Sequence, residues 1–149
     1  MSTMSTSGFV RANSLSRVEM SLPADATMLF LARMTAAAVA TRVDLNYEQV
    51  EDLRLAVDEL CIELLSSGVR AGQIALVFQW DDGGTLDVVA SLVLDGSPSA
   101  QQDVGTQPGP LSFELSQRIL EALVDEHGAD DLGGAPRAWL RVRRRELQA

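Results

Sequence analysis

Apolar residues recur with two different spacings along the chain, and each spacing predicts one kind of element. Between Arg17 and Leu22 every second residue is apolar, which predicts a half-buried strand that Pro23 ends. Asp25 has the short acceptor side chain of a helix N-cap, and the segment after it is rich in Ala, Leu and Met. We therefore expect a first helix that runs to about Arg42.

A second helix has the strongest signal in the chain. Asn46 is a good N-cap, and Gln49, three residues later, can close a capping box with it. Apolar residues then recur at intervals of three and four, which predicts one buried stripe along the helix. The residues of this stripe are Val50, Leu53, Val57, Leu60 and Leu64. Gly68 is a natural end for the helix, because glycine readily adopts the left-handed conformation that closes helices.

The second half of the chain predicts a hairpin, a third helix and a last strand. The predicted strands are Gln73–Trp80, Thr85–Leu94 and Arg137–Arg145, with a turn at residues 81–84 between the first two. A helix is expected from Ser112 to about His127, followed by a Gly-rich loop over residues 128–136. Residues 95–110 are rich in Gly and Pro, and so long a connection is a candidate for a functional loop.

The predicted order of elements is β-α-α-β-β-α-β. This order is typical of an α+β fold, a two-layer sandwich in which helices cover one face of a mixed, mostly antiparallel sheet. Residues 1–14 are rich in Ser and Thr and have few apolar residues to bury, so we interpret them as a disordered N-terminal arm. Residues 15–149 are then expected to form a single domain, which suits their length.

Charge limits the classes of partner. The chain has 12 basic and 21 acidic residues, a net charge of −9, which opposes direct binding to nucleic acid and is compatible with a basic protein partner. The acidic residues concentrate between positions 44 and 63, although an ordinary solvated helix face has the same composition. No apolar run is long enough to span a membrane and no secretory signal is visible, so we expect a cytoplasmic protein.

Two residues that could bind a metal are better interpreted as structural. Cys61 is the only cysteine, and we expect it to be a small buried apolar residue. His127 is expected to cap the end of the third helix. Neither has a companion at metal-ligand spacing, so no metal site is predicted.

The run from Asp52 to Glu63 resembles the N-box helix of the GHKL (histidine-kinase-like ATPase) anti-sigma-factor serine-protein kinases. These are the RsbW and SpoIIAB proteins, and the chain is most similar to the degenerate, shorter-motif UsfX type. Three further segments agree in order and spacing. They are Leu22–Asp25, Ala32–Thr35 and Ile119–Glu126. The resemblance implies a Bergerat (GHKL ATPase-like) fold and the partners of that family: a sigma factor, a STAS-type anti-anti-sigma factor and a second copy of the chain.

The resemblance also assigns roles on the second helix. The kinases carry Glu-x-x-x-Asn there, and the four-residue spacing places both side chains on one helix face. The Glu acts as general base on the substrate hydroxyl, and the Asn helps to hold Mg²⁺ with ATP. In this chain Glu59 fits the base, but Glu63 stands in place of the Asn. A carboxylate can also hold Mg²⁺, but it adds negative charge beside a polyphosphate, which opposes nucleotide binding unless a metal is present.

Two other nucleotide motifs of the kinases are altered. The family's adenine-binding Asp-x-Gly-x-Gly is reduced to Asp95-Gly96. The glycines that let backbone N–H groups approach phosphate align with Glu114 and Ser116. With Glu63 in place of the Asn, three motifs are eroded. We therefore expect ATP and Mg²⁺ to bind weakly or not at all.

Two more positions complete the candidate set. Gly105 and Gly109 lie upstream of the altered glycines and are either a displaced remnant of the nucleotide loop or part of an ordinary loop. Arg33 lies in a segment similar to one that contains a partner-contacting Arg in the family, and it is the candidate partner-binding residue. The leading hypothesis is an anti-sigma factor that sequesters an alternative sigma factor and is released by its antagonist. The alternatives are an active serine-protein kinase that phosphorylates the antagonist, and a scaffold domain.

Overall fold

A five-stranded sheet, three α-helices and a short 3-10 turn make up the computed structural model, which describes residues 15–68, 71–94 and 110–146. The strands are β1 (Ser16–Pro23), β2 (Ala71–Trp80), β3 (Thr85–Leu94), β4 (Glu126–Leu132) and β5 (Ala135–Arg143). The helices are α1 (Leu29–Arg42), α2 (Tyr47–Leu65) and α3 (Pro110–Leu123). The 3-10 turn, Ala26–Met28, precedes α1, and the Asp25 side chain caps it by accepting from the Thr27 N–H. The predicted N-terminal arm, residues 1–14, lies outside the described residues.

The strands are arranged in the order β1-β2-β3-β5-β4. Within the described residues every neighbouring pair is antiparallel, so the expectation of a mixed sheet is corrected on this point. The register aligns one residue from each strand in a row across the sheet. This row is Val18, Phe78, Val88, Leu140 and His127. Because side chains alternate along a strand, rows of this kind give the sheet one apolar face.

The three helices cover that apolar face. The largest fully buried side chains come from both layers and meet in one cluster. They include Phe78, Ile74 and Leu140 from the sheet, and Leu53 and Leu60 from α2. Burying each such side chain contributes about 1.5–3 kcal/mol. The predicted α+β two-layer sandwich with helices on one face is confirmed.

The N-terminus of α2 is joined to the end of β5. Asn46 and Gln49 form the predicted capping box, in which the Asn46 side chain accepts from the Gln49 backbone N–H at 2.8 Å. Gln49 is buried, and its side-chain amide donates to the carbonyl of Arg143 at 2.8 Å. The cap predicted from local sequence therefore also holds the second helix against the sheet.

The largest departure from the predicted elements follows α3. The helix ends at Leu123 instead of continuing to His127, and strand β4 covers the end of the expected helix and the first half of the expected loop, residues 128–136. His127 pairs with Leu140 of β5 within the sheet, so the prediction that it caps a helix is wrong.

Cross-strand contacts hold β4 in place although its sequence, EHGADDL, lacks β-branched and aromatic residues. Asp130 forms an ion pair with Arg137 of β5 at 2.7 Å. Gly128 lies opposite Trp139, so close that a Cβ at this glycine would come within 2.7 Å of the indole ring. The Trp139 ring thus covers a position where no side chain fits. Pairing with β5, not local preference, makes this segment a strand.

Candidate functional site

Two carboxylates of α2 face helix α3. Glu59 and Glu63 are four residues apart, one turn of helix, and both lie on the side of α2 that α3 covers. The Ser116 hydroxyl donates to Oε1 of Glu59. The Gln117 side-chain amide donates to Oε1 of Glu63 at 3.3 Å. Consecutive residues of α3 therefore hold both carboxylates that the sequence singled out.

The second carboxylate of the pair is incompletely satisfied. Oε2 of Glu63 is buried and has no hydrogen-bond partner among the described residues. Burial, and next the negative charge of Glu59, raise the pKa of Glu63 above its ordinary value of 4.5. A buried charge without a donor is unfavourable, so the surroundings favour the protonated, neutral form of Glu63.

The remaining positions assigned to the nucleotide site divide into two groups. Asp95, Gly96, Gly105 and Gly109 lie outside the described residues. Glu114 and Ser116 are in α3, with Glu114 exposed and Ser116 buried against α2. Ser116 occupies the position at which the resemblance places a glycine. Its side chain fills space beside Glu59 that a glycine would leave open.

Arg33 is partnered within the chain. Its Nη1 lies 2.6 Å from Oδ1 of Asp58, and both side chains are partly exposed. The pair joins α1 to α2. The sequence singled out Arg33 without its partner, because residues 25 positions apart have no local relation that would reveal the contact.

The lone cysteine is confirmed as a buried apolar residue. Cys61 is fully buried in the core cluster, and burial raises the pKa of its thiol to about 12. Among the residues that the structure describes, no three His, Cys, Asp or Glu side chains come together as a metal site would require. In the same part of the chain, no helix is long and apolar enough to cross a membrane.

Comparison with curated proteins finds relatives over part of the chain. Serine-protein kinases RsbW of Bacillus thuringiensis, Bacillus cereus and Bacillus anthracis are each 34% identical to it over 64 residues. The matched stretch is 42% of this chain and 40% of each relative, so the chain spans about two fifths of the length of these relatives. No protein-family profile matches. The resemblance to RsbW predicted from the sequence is confirmed over these 64 residues, whereas the UsfX subtype stays a prediction.

Proposed function

We infer that this chain, an RsbW-like relative of the GHKL anti-sigma-factor family, acts as an anti-sigma factor. In this proposal it sequesters an alternative sigma factor and is itself released from it by an anti-anti-sigma antagonist. The observation that carries the proposal is the engagement of Glu59 and Glu63 by side chains of α3. With both carboxylates engaged by α3, we expect phosphoryl transfer to be weak.

The described residues fit Mg-ATP poorly. A general base must be within hydrogen-bond reach of the substrate hydroxyl, and the Ser116 hydroxyl occupies that place beside Oε1 of Glu59. Glu63 has a raised pKa and a buried oxygen without a donor, so this site disfavours further negative charge. A triphosphate brings several negative charges. These features support a binding function without efficient kinase chemistry.

Electrostatics support a basic protein partner. The chain carries a net charge of −9, and α2 contributes Glu48, Glu51 and Asp52 to its surface in addition to the carboxylates already described. Complementary charge accelerates association and selects partners more than it raises affinity. Binding to a sigma factor through its basic, DNA-facing surfaces should therefore weaken as salt increases, since exposed charges are screened within about 8 Å at physiological ionic strength.

The alternative function is an active serine-protein kinase in which Glu59 is the general base. Glu59 accepts a hydrogen bond from a serine hydroxyl, which is the contact that a catalytic base makes with its substrate. In that alternative, α3 would have to move before a serine of the antagonist could replace Ser116. Release of the sigma factor would then require ATP.

A release experiment separates the two functions. The sigma factor is first identified by affinity purification with mass spectrometry, and its purified complex with this chain is then mixed with unmodified antagonist across a salt series. We expect release without nucleotide. The matched variant Glu59→Gln should release sigma factor as the unsubstituted chain does. Release that needs ATP, produces phosphorylated antagonist and is lost in Glu59→Gln would establish the kinase instead.

A further inference from the structure

Strand β1 forms one edge of the sheet, and its outer backbone edge has no neighbouring strand among the described residues. Its pairing with β2 runs without interruption over all eight residues, Ser16–Pro23. Proteins usually block such an edge with proline, a bulge or charged side chains. In β1 the only proline is the last residue, and the two charged residues, Arg17 and Glu19, pair with each other on the face that the helices do not cover. The backbone of this edge is therefore open to a further strand.

Strand β4, at the other edge of the sheet, is better protected. Its sequence, EHGADDL, exposes Asp130 and Asp131 to solvent. Charged side chains on an edge strand oppose its pairing with another chain. In β1, by contrast, the residues that face the helices are all apolar, and they are Val18, Met20 and Leu22. Of the two edges, β1 is the one suited to accept a strand.

An apolar groove lies between helix α1 and this side of the sheet. Val18 and Trp80 line its sheet side, and Leu31, Met34 and Ala38 line its helix side. The groove has a volume of about 460 Å³, and Met34 remains 64% exposed within it. Successive side chains of a strand point to opposite faces of the sheet, so every second side chain of a strand added beside β1 would enter the groove.

A cation lies at one end of the groove. Arg42, the last residue of α1, lines the groove and forms no hydrogen bond or ion pair with any described residue. None of the residues that line the groove is acidic, although the chain has 21 acidic residues. An occupant with a carboxylate beside Arg42 is therefore complementary in charge. Because a short connection joins β1 to α1, the helix runs back along the strand, and Arg42 lies towards the start of β1.

We propose that the β1 edge and the groove beside it bind an extended peptide segment of a protein partner, which adds a sixth strand to the sheet. Alternate side chains of the segment are apolar and enter the groove, and an acidic residue pairs with Arg42. In this mode of recognition main-chain hydrogen bonds supply affinity, and pockets for alternate side chains supply specificity. The inference goes beyond the proposed function, because it uses none of Glu59, Glu63 and Arg33, which contact α3 and α2.

Synthetic peptides with blocked ends and the length of β1, eight residues, test the proposal. The parent peptide alternates Val and Thr, with Glu in place of the last Val. This Glu reaches Arg42 if the added strand is antiparallel to β1, as every strand pair in the described sheet is. A second peptide has Gln instead of the Glu. Two more peptides are N-methylated at alternate residues, each along one backbone edge, so that only one of them can still donate hydrogen bonds to β1.

Two variants of the chain, each with a matched control, accompany the peptides. Met34→Ser removes an apolar wall of the groove, and its control is Leu115→Ser, which changes a similarly exposed residue of α3. Arg42→Gln removes the cation, and its control is Arg118→Gln, which changes an exposed arginine of α3. Binding to the full chain is measured by fluorescence anisotropy, and the site is mapped by NMR chemical-shift changes.

We expect the parent peptide to shift resonances of β1 and α1, and one of the two N-methylated peptides to lose binding. Met34→Ser should weaken binding about fivefold or more, because an apolar contact is lost. Arg42→Gln should weaken binding of the Glu peptide roughly two- to fivefold, since an exposed ion pair is lost, and should not affect the Gln peptide. Both control variants should bind as the unsubstituted chain does.

Several outcomes would overturn the proposal. They are absence of binding by the parent peptide, equal binding of both N-methylated peptides, shifts confined to other surfaces, and equal losses in the control variants. Shifts of β1 that depend only on protein concentration would also overturn it, because they would assign the edge to a second copy of the chain. Circular dichroism and thermal melts confirm that each variant folds. The N-methylated peptides are compared on the unsubstituted chain, so that comparison decides the question even where a variant does not fold.

Discussion

Replacing Glu63 by Gln is expected to stabilise the folded protein at neutral pH. The substitution keeps the shape of the side chain and the oxygen that accepts from Gln117, while it removes a negative charge beside Glu59. The amide nitrogen that replaces Oε2 is still without a partner, so the gain comes from removing the charge: an unsatisfied buried polar atom costs about 1–3 kcal/mol, and a charged one costs more. Because part of the Glu63 side chain remains in contact with solvent, the lower end of that range applies, about 1 kcal/mol. For a domain of this size that corresponds to an increase in Tm of roughly 3–5 °C.

The effect should depend on pH in a defined direction. A carboxyl whose pKa is raised in the folded state keeps its proton where the unfolded chain has already lost it. Wild-type stability therefore falls as pH rises above the ordinary value of 4.5 through the higher folded value. The Gln variant lacks this contribution. Its advantage should be small at the acidic end of this range, where Glu63 is protonated and resembles Gln, and should grow towards neutral pH.

Urea unfolding followed by circular dichroism measures the effect between about pH 5 and pH 8. Glu121→Gln is the matched control, since it removes an exposed acid from α3 and should leave both the stability and its pH dependence nearly unchanged. A Glu63→Gln protein that is less stable than wild type at pH 7 would refute the reasoning. An unaltered pH dependence would also refute it, because Glu63 would then be ionised without cost.

Three further outcomes are expected. Arg33→Ala should weaken partner binding, measured by calorimetry, and should cost less than about 1 kcal/mol of stability, because its ion pair with Asp58 is partly exposed; unchanged affinity for both the sigma factor and the antagonist would remove Arg33 from the interface. Cys61 should resist thiol reagents at pH 8 until urea unfolds the chain, because burial raises its pKa to about 12; rapid labelling of folded protein would contradict this. Gln49→Ala should lower the free energy of unfolding by about 2 kcal/mol, since it breaks the capping box and leaves the Arg143 carbonyl without its donor; a loss below about 0.5 kcal/mol would show that water replaces the bond.

The elements that could be predicted are those whose signals lie among neighbouring residues. The capping box at Asn46 and Gln49 needs only a three-residue spacing, and the buried stripe of α2 needs only helical periodicity. The hairpin turn between β2 and β3 needs only the run of Asp and Gly at residues 81–84. There the Asp81 side chain accepts from the Thr85 N–H at 3.0 Å, and Gly84 adopts a φ of +88°. Each of these predictions is confirmed in the structure.

Strand β4 shows where local signals end. Its residues have no preference for extended structure, and the helical pattern before it runs on to His127, so the chain alone indicated a longer helix and a loop. The strand forms because its backbone pairs with that of β5. In addition, the Trp139 ring of β5 packs over Gly128, and Arg137 of β5 forms an ion pair with Asp130. Such pairing is created only when the sheet assembles, and no window of neighbouring residues contains it.

The candidate site also has features that neighbouring residues predict and features that only the tertiary packing determines. The four-residue spacing of Glu59 and Glu63 was sufficient to place both carboxylates on one helix face, because helical geometry is local. The structure decided what that face meets: Ser116, 57 positions further along the chain, donates to Glu59. It likewise paired Arg33 with Asp58 and left Leu55 and Ile62 in solvent beside them. Periodicity determines which residues share a face of one helix, but the packing of the whole sandwich determines which faces are covered.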